Sequence, residues 1–384
     1  MPEICPPSLL LAFHSVLIMA MAAPAPAQTE SVIYSFANPP DAHGPKCNLA
    51  FDGAGNMYGT TFSGGANNLG AVFKTTPAGT ESVIYSFKGG SDGSHPVAGL
   101  LWNSAGFFYG TTVYGGAANN GTLFVVDPAG HEAVRYSFKG GTTDGANPYS
   151  SVVMVGSNLF GTTFNGGAFG YGTVFKLTSS GETVLHDFNS AFPTLDGSYP
   201  YASLVLRKGI LYGTTTLGGT SNLGTVFSIA PSGAYTLLYS FKGGTSDGQS
   251  PYGGVLFDSK GNLYGTTYLG GPDNAGTVFE IPAVGSETVL HSFLRNGDGI
   301  NPYAGMIMVK GNLYGTTLQG GSANGGTVFK ITASGTETVL HSFTGGADGF
   351  NPYSTLLPAA NNTFYGNTLQ GGTSAIGTVF AIAP

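Results

Sequence analysis

The chain has 384 residues and a formal net charge of −7, and only 9% of its residues are charged, whereas 63 are glycine. An average globular domain has about 25% charged residues and roughly 7% glycine, so the surface of this protein must consist largely of Ser, Thr, Asn and Gly. The acidic balance and the lack of a basic run exclude nucleic acid as the default partner, because that binding depends on displacing counterions from phosphates.

An apolar run at residues 8–23 is the first segment with an assignable role, and it precedes the small residues Ala25 and Ala27. The run is too short to cross a bilayer comfortably, and small residues at alternate positions are typical of a secretory cleavage site. We predict a signal peptide at residues 1–27, cleavage near Ala27 and a secreted protein, extracellular or periplasmic. Cleavage would leave Cys47 as the single cysteine, so no intrachain disulfide is expected.

The rest of the chain is one unit repeated seven times. A Y-G-T-T core, or a close variant of it, begins at residues 58, 109, 160, 212, 264, 314 and 365, so that successive copies are 51, 51, 52, 52, 50 and 51 residues apart. Each core is followed by G-[TA]-[VL]-F, and a [YH]-[SD]-F motif also occurs seven times. Self-similarity at a fixed period indicates a repeat architecture.

Four short strands are predicted in each unit, at residues 303–309, 312–318, 326–332 and 337–343 of the sixth copy. Gly, Pro, Asn and Asp turn signals separate them, and the unit has no helical spacing. Four-stranded sheets repeated at this length predict an all-β fold, a β-propeller with seven blades. We assign residues 28–384 to this single domain.

The order of the strands at the two ends predicts a closed ring. The mature chain opens at residues 30–36 with a fourth-strand sequence and finishes at residues 377–384 with a third-strand sequence. Their pairing would complete the last blade and remove two free sheet edges that would otherwise promote aggregation. An open solenoid would more often carry atypical capping repeats at its ends.

The repeat has the form G-N-L-Y-G-T-T-x-x-G-G-x4-G-T-V-F-K-I-T-x-x-G-x-E-T-V-L-H-S-F in its sixth copy. Along residues 30–384 it resembles the GloVer tandem repeat family of secreted bacterial proteins. The resemblance implies an exported repeat protein with no established activity, in many members followed by a C-terminal sorting or anchoring segment. This chain ends at Pro384 within its last blade and departs from the anchored pattern, so we expect a soluble protein. We also expect no transmembrane segment in the mature chain, and a monomer. The resemblance supplies no catalytic residue.

One aspartate per unit lies four residues before a proline, and in the last six copies a glycine follows it. The set comprises Asp41, Asp92, Asp144, Asp196, Asp247, Asp298 and Asp348. The carboxylate of an Asp-Gly turn accepts neighbouring backbone N–H groups, so we interpret the set as one turn brace per blade. The alternative is a ring of carboxylates that binds cations, but one Asp per blade supplies few of the about 6 to 8 oxygens that Ca²⁺ requires.

The connection before each of these prolines varies from 8 to 11 residues and is longest at residues 189–199, which include Phe192. Five of the seven prolines are followed by tyrosine, at Tyr149, Tyr201, Tyr252, Tyr303 and Tyr353. We predict that these tyrosines and Phe192 form a ligand-binding face, because aromatic rings stack on sugars and are enriched at protein interfaces. The alternative is that the tyrosines only wall the mouth of an axial channel.

No nucleophile, metal-ligand or nucleotide motif is present, so we predict no catalytic residue, no metal and no cofactor. Histidines 186, 291 and 341 occupy a position that is tyrosine in the other copies, and we interpret them as aromatic fillers. The predicted function is a secreted, non-catalytic binding or scaffold propeller that recognises a glycan or another extracellular protein. The alternative is a polysaccharide hydrolase or lyase in which Asp196 and Asp298 act as acid and base.

Overall fold

A computed structural model describes residues 29–191 and 195–383. The predicted signal peptide and Phe192 lie outside these residues. Within them the chain forms seven four-stranded antiparallel blades, and one short 3-10 helix occurs at Ala360–Asn362. The predicted seven-bladed β-propeller is confirmed.

The first two strands of each blade form a hairpin near the axis. The first strands are Ala50–Phe51, Leu101–Trp102, Val153–Val155, Val205–Arg207, Leu256–Phe257, Ile307–Val309 and Leu357–Pro358. The second strands, which contain the Y-G-T-T motif, are Met57–Gly64, Phe108–Thr112, Asn158–Thr163, Ile210–Thr215, Leu263–Thr267, Asn312–Thr317 and Phe364–Gln370.

The outer two strands complete each blade. The third strands are Ala71–Thr75, Thr122–Val126, Thr173–Thr178, Thr225–Ile229, Thr277–Ile281, Thr327–Ile331 and Thr378–Ala383. The fourth strands are Glu81–Ser86, Glu132–Ser137, Gly181–Asp187, Tyr235–Ser240, Thr288–Ser292, Glu337–Ser342 and, for the seventh blade, Thr29–Ser35.

The ring closes as predicted. Thr29–Ser35 pairs antiparallel with Thr378–Ala383, from Thr29 opposite Ala383 to Ser35 opposite Thr378. The seventh blade therefore takes its fourth strand from the start of the described chain and its other three from the end. No blade is left with an incomplete sheet edge at the junction.

Phenylalanine pairs hold neighbouring blades together. The phenylalanine after each fourth strand packs edge-to-face on the third-strand phenylalanine of the next blade, as Phe293 does on Phe329 with ring centroids 5.1 Å apart. The same geometry recurs at all seven blade interfaces, including Phe36 on Phe73 at the closure. The glycine of Y-G-T-T makes room for the ring, because a Cβ on Gly315 would lie 2.6 Å from Phe329 Cζ.

A second inter-blade contact explains the single Y-G-N-T variant. In the other blades the first threonine of the motif donates its hydroxyl to a carbonyl of the next blade, as Thr60 Oγ1 does to Ala98 O at 2.8 Å. In the seventh blade the longer Asn367 takes this position, and its Nδ2 donates to Cys47 O at 2.8 Å. Cys47 is fully buried, and the Thr60 N–H donates to its Sγ at 3.0 Å. The departure from the repeat consensus thus lies at the ring closure.

The loop that enters each blade makes an additional pairing that the sequence did not predict. Its Asp-Gly region pairs with the end of the second strand, in short ladders or bridges. These include Ala42–Pro45, Gly145–Ala146 with Asn165–Gly166, Gly248–Gln249 with Leu269–Gly270, Gly299–Ile300 with Gln319–Gly320, and Phe350–Pro352. In the second and fourth blades the pairing is a single bridge, Ser94 with Tyr114 and Ser198 with Leu217. The entering loop and the hairpin between strands two and three therefore lie on one face, called here the loop face.

The glycine after the aspartate packs against two threonines in the last six blades. In the first blade both the glycine and one of these threonines are replaced. A Cβ on Gly299 would meet the Thr317 side chain and lie 2.8 Å from Thr327 Oγ1. The first blade has Ala42 at this position, and there the third-strand threonine is replaced by Ala71. The larger residue in the loop is therefore accompanied by a smaller one in the strand.

We expect Gly299→Ala to destabilise the protein by about 1–3 kcal/mol, since the added methyl group overpacks the site. Combining it with Thr327→Ala recreates the pairing of the first blade and should recover part of that loss. A double-mutant cycle on thermal melting measures the coupling. Additive effects of the two substitutions would show that the methyl group and the threonine do not compete for space.

Candidate functional site

The segments that follow the seven prolines converge on the axis and enclose a cavity of about 260 Å³. Every blade contributes to its lining. The residues one position after the prolines are Lys46, Val97, Tyr149, Tyr201, Tyr252, Tyr303 and Tyr353. The residues two positions further on are Asn48, Gly99, Ser151, Ser203, Gly254, Gly305 and Thr355. Lys46 is the one charged side chain among the described residues that line the cavity.

A left-handed residue before each proline directs the next side chain to the axis. All seven have positive φ, and the set is Gly44, His95, Asn147, Tyr199, Ser250, Asn301 and Asn351. The N–H of Asn301 donates to Ala275 O of the preceding blade at 2.7 Å, and its Nδ2 donates to Tyr268 O at 2.8 Å. Asn adopts this conformation readily, whereas bulky residues rarely do. The second and fourth blades nevertheless have His95 and Tyr199 there, so aromatic rings project onto the loop face.

The structure brings the five predicted tyrosines together at the axis. Tyr201 lies at the centre, with its hydroxyl 3.1 Å from that of Tyr353 and its ring centroid 5.1 Å from that of Tyr149 and 5.5 Å from that of Tyr303. The rings of Tyr252 and Tyr303 stack at 4.8 Å. Burial raises the pKa of each phenol, to about 12 for Tyr149. The phenols therefore stay neutral and can both donate and accept hydrogen bonds.

Further aromatic rings surround this cluster, and sequence reasoning missed them. Phe164 packs on Tyr149 at 5.2 Å and on Tyr199 at 4.9 Å. Tyr114 and Phe169 are the more exposed rings of the loop face, at 40% and 52% of their surface. The sequence signal was Phe169 in the A-F-G-Y stretch at residues 168–171, since the other copies have Asn, Ala, Ser or Asp at that position.

Lys46 lies where the tyrosine cluster is interrupted. Its Nζ is 4.0 Å from the centroid of the Phe62 ring, and burial lowers its pKa. The Phe62 ring packs on His95 at 4.8 Å, and His95 packs on Tyr114 at 5.8 Å. Burial, reinforced by the charge of Lys46, lowers the pKa of His95, so this imidazole is neutral at neutral pH.

The seven aspartates lie away from the axial cavity. Asp144 accepts hydrogen bonds from the Tyr136 hydroxyl at 2.8 Å and from the Lys139 N–H at 2.7 Å. His186, His291 and His341 take the place of the tyrosine, with their Nε2 atoms 2.9, 3.4 and 3.3 Å from aspartate oxygens. Each carboxylate thus joins a loop to the preceding fourth strand. In the described part of the chain, no group of three His, Cys, Asp or Glu side chains could hold a metal ion.

A glutamate from the next blade faces six of these aspartates, and the sequence did not reveal this pairing. Burial, with a further contribution from the facing aspartate, raises the glutamate pKa values to about 8 for Glu81 and about 7 for the others. These others are Glu30, Glu132, Glu182, Glu287 and Glu337. In the fourth blade Tyr235 replaces the glutamate, and its ring stacks on His186 at 4.0 Å. The glutamate of each pair therefore keeps its proton to a higher pH than a free carboxyl group does.

The model of the Gloeobacter/Verrucomicrobia repeat matches residues 22–193 and 190–380, which is nearly the whole chain. The chain belongs to this family. Among curated proteins, no sequence match to this Gloeobacter/Verrucomicrobia repeat protein is found. The resemblance inferred from the repeated motifs is thus confirmed.

Solved structures share the fold at low sequence identity. The extracellular domain of a candidate one-component system from B. thetaiotaomicron is 12% identical at a TM-score of 0.55, over 90% of this chain and 39% of that one. PorZ, a surface component of the type-IX secretion system of Porphyromonas gingivalis, is 14% identical at a TM-score of 0.54, over 88% of this chain and 46% of that one. The repeat protein spans less than half of either structure, and the likeness shows the fold alone.

The described residues contain no helix with the length and apolar character needed to span a membrane.

Proposed function

We propose that this repeat protein is a secreted, non-catalytic binding or scaffold propeller whose loop face recognises a glycan or another extracellular protein. One observation carries the proposal: aromatic rings from all seven blades lie on one face, five of them at the axis and the others around it, and Tyr149 beside Tyr114 connects the two groups. The set runs from Phe62 through His95 and Tyr114, and from Phe164 through Tyr201 to Tyr353. Rigid rings with a polar tip contribute contact area at low entropic cost, which suits recognition of sugars or proteins.

The tyrosine cluster and the outer rings have different roles in this proposal. The five axial tyrosines pack mostly on one another, so they support the surface as well as present hydroxyl groups to the cavity. Tyr114 and Phe169 offer more exposed ring surface and are the better candidates for direct ligand contact. Phe192, in the long connection at residues 189–199 of the sequence, is a further proposed contact.

Export of the protein rests on the apolar run at residues 8–23 and on the small residues that follow it. The two structural neighbours are an extracellular domain and a surface component, which accords with this location. A monomer is proposed because ring closure satisfies the strand edges of the seventh blade within one chain.

The alternative function, a polysaccharide hydrolase or lyase, requires free carboxylates at the ligand site. Asp196 lies 2.9 Å from His186 and accepts the Asn189 N–H at 2.7 Å. Asp298 accepts the N–H groups of Leu294 and Gly299. Neither aspartate lines the axial cavity. The geometry supports a binding role better than an acid and base at these positions.

Binding to a panel of polysaccharides, with release of reducing ends scored in parallel, tests the proposal. We expect retention without release. Tyr114→Ala and Phe169→Ala should each weaken binding by about 1–3 kcal/mol if the ring is an anchor. Tyr201→Ala and Phe192→Ala extend the test to residues that the sequence predicts, with folding checked by melting temperature.

Phe107→Ala is the matched control, because this ring is 41% exposed and lies in the turn between strands one and two, on the opposite face. Lys260→Ala, also exposed and in such a turn, is a second control. If the control variants lose binding and the loop-face variants retain it, the site lies on the opposite face and the proposal is wrong. Release of reducing ends by the wild-type protein would favour the enzymatic alternative.

A further inference from the structure

The tyrosine cluster covers five blades and is interrupted at the first two. At the position after the proline, these blades have Lys46 and Val97 instead of tyrosine. Lys46 lines the cavity and also reaches the Phe62 ring, so it stands between the axis and the outer aromatic surface. Where the tyrosines are absent, the cavity lining therefore has its one cation, Lys46, flanked by aromatic rings.

No carboxylate in the described residues forms an ion pair with Lys46, although the protein as a whole is acidic. Its ammonium group rests on the face of Phe62 at 4.0 Å, and burial is the cause of its lowered pKa. A partly buried cation without a counter-ion is costly, because desolvation is not offset by a nearby opposite charge. An anionic ligand would supply the missing charge.

His95 adds, beside Lys46, a second polar group that lacks a partner among the described residues. Its ring is held between Phe62 and Tyr114, and its Nδ1 is buried without a hydrogen-bond partner. Burial, reinforced by the nearby ammonium, lowers the pKa of the imidazole, and the neutral ring carries one donor and one acceptor nitrogen. A polar ligand could therefore be bound by hydrogen bonds as well as by charge.

The neighbouring groups favour a sugar over a simple inorganic anion. The exposed ring of Tyr114 provides an apolar face on which a pyranose could stack, next to the Phe62 ring that holds the ammonium of Lys46. Asn48, Ser151 and the phenol of Tyr149 provide hydrogen-bonding groups along the cavity wall. The volume of about 260 Å³ is smaller than the roughly 300–1,000 Å³ of pockets for drug-sized ligands, so one sugar unit fits better than an enclosed chain.

We infer that the loop face over blades one and two is a subsite for an acidic sugar, with Lys46 as the partner of its carboxylate. Phe62, His95 and Tyr114 form the surrounding wall. This inference rests on the proposed function and specifies its ligand class: a glycan that contains uronic acid units.

The test compares an oligogalacturonide with its carboxyl-reduced form, which keeps the linkages and loses the charges. Calorimetry on the wild-type protein should show at least about tenfold tighter binding of the acidic form, weakening with added salt. Lys46→Met should abolish this difference, and Lys46→Arg should retain most of it. Lys260→Met, on the opposite face, is the matched charge control and should bind like wild type.

The outcomes separate this inference from the proposed function. Equal binding of both sugars by the wild type and by Lys46→Met would overturn the acidic-sugar subsite and leave a glycan-binding face. Stronger binding of an acidic peptide than of the oligogalacturonide, dependent on Lys46, would overturn the assignment to a sugar. Failure of every polysaccharide and protein in the panel to bind would contradict the proposed function itself.

Discussion

Removal of residues 28–37 is expected to lower the melting temperature by more than 10 °C or to cause aggregation. The deletion takes away the strand that pairs with Thr378–Ala383 and leaves that strand as a free edge. It also removes Phe36, which packs on Phe73 at 5.1 Å, and Tyr34, whose hydroxyl donates to Asp41 at 2.8 Å. Loss of a buried phenylalanine alone typically costs about 3–5 kcal/mol.

Thermal melting and size-exclusion chromatography measure this effect. Deletion of residues 1–27 is the control, because it removes only the predicted signal peptide and should leave melting unchanged. Phe36→Ala in the full chain separates the inter-blade packing from the strand pairing, and it should produce a smaller loss than the whole deletion. A protein without residues 28–37 that melts like the parent would show that the ring does not depend on its first strand.

Raising the pH from about 5 to about 9 is expected to destabilise the protein. The pKa of Glu81 is raised from 4.5 to about 8 and those of five equivalent glutamates to about 7, chiefly by burial and then by the facing aspartates. The folded state therefore binds more protons than the unfolded state over this range. The stabilisation is complete below pH 4.5 and is lost as the pH rises through 7 to 8.

The expected size of the effect is several kcal/mol in total. The glutamates are only half-buried, so solvent screening reduces each contribution to on the order of 1 kcal/mol. Some neighbours act in the opposite direction: Lys88, Lys242 and His291 lower the pKa of Glu132, Glu287 and Glu337 respectively. The net dependence should still be a melting temperature that falls by several degrees between pH 5 and pH 9.

Glu81→Gln tests the cause, because the amide keeps the shape and cannot ionise. Its melting temperature should exceed that of the wild type at pH 8, and the difference should shrink at pH 5. Glu280→Gln is the control, since this glutamate lies on a third strand and accepts the Tyr264 hydroxyl at 2.9 Å. A wild-type protein that melts higher at pH 8 than at pH 5 would contradict the retained protons.

The repeated features could be predicted because the same motifs occur in every blade. The second and third strands follow from Y-G-T-T and G-T-V-F, and the closure follows from the order of motifs at the two ends. The glutamate that faces each aspartate was harder to predict from the sequence. Tyr136 and Asp144 are close in sequence, but Glu81 faces Asp41 across a blade interface and 40 positions away. The repeat period identifies equivalent residues in different blades, but it does not tell which residues contact each other across a blade interface.

The sequence by itself determined the number of blades, the strands within them and the joining of the ends, because these depend on local pattern and on its period. The sequence also named the five tyrosines, but only the tertiary structure decided how they are arranged and which side chains surround them. Tyr201 and Tyr353 are 152 positions apart, and their hydroxyls meet because the ring brings equivalent residues of separate blades to one axis. The same convergence brings Lys46, one of the two residues that replace tyrosine at this position, to the axis. There Lys46 lies against an aromatic ring, and no carboxylate of residues 29–191 or 195–383 forms an ion pair with it.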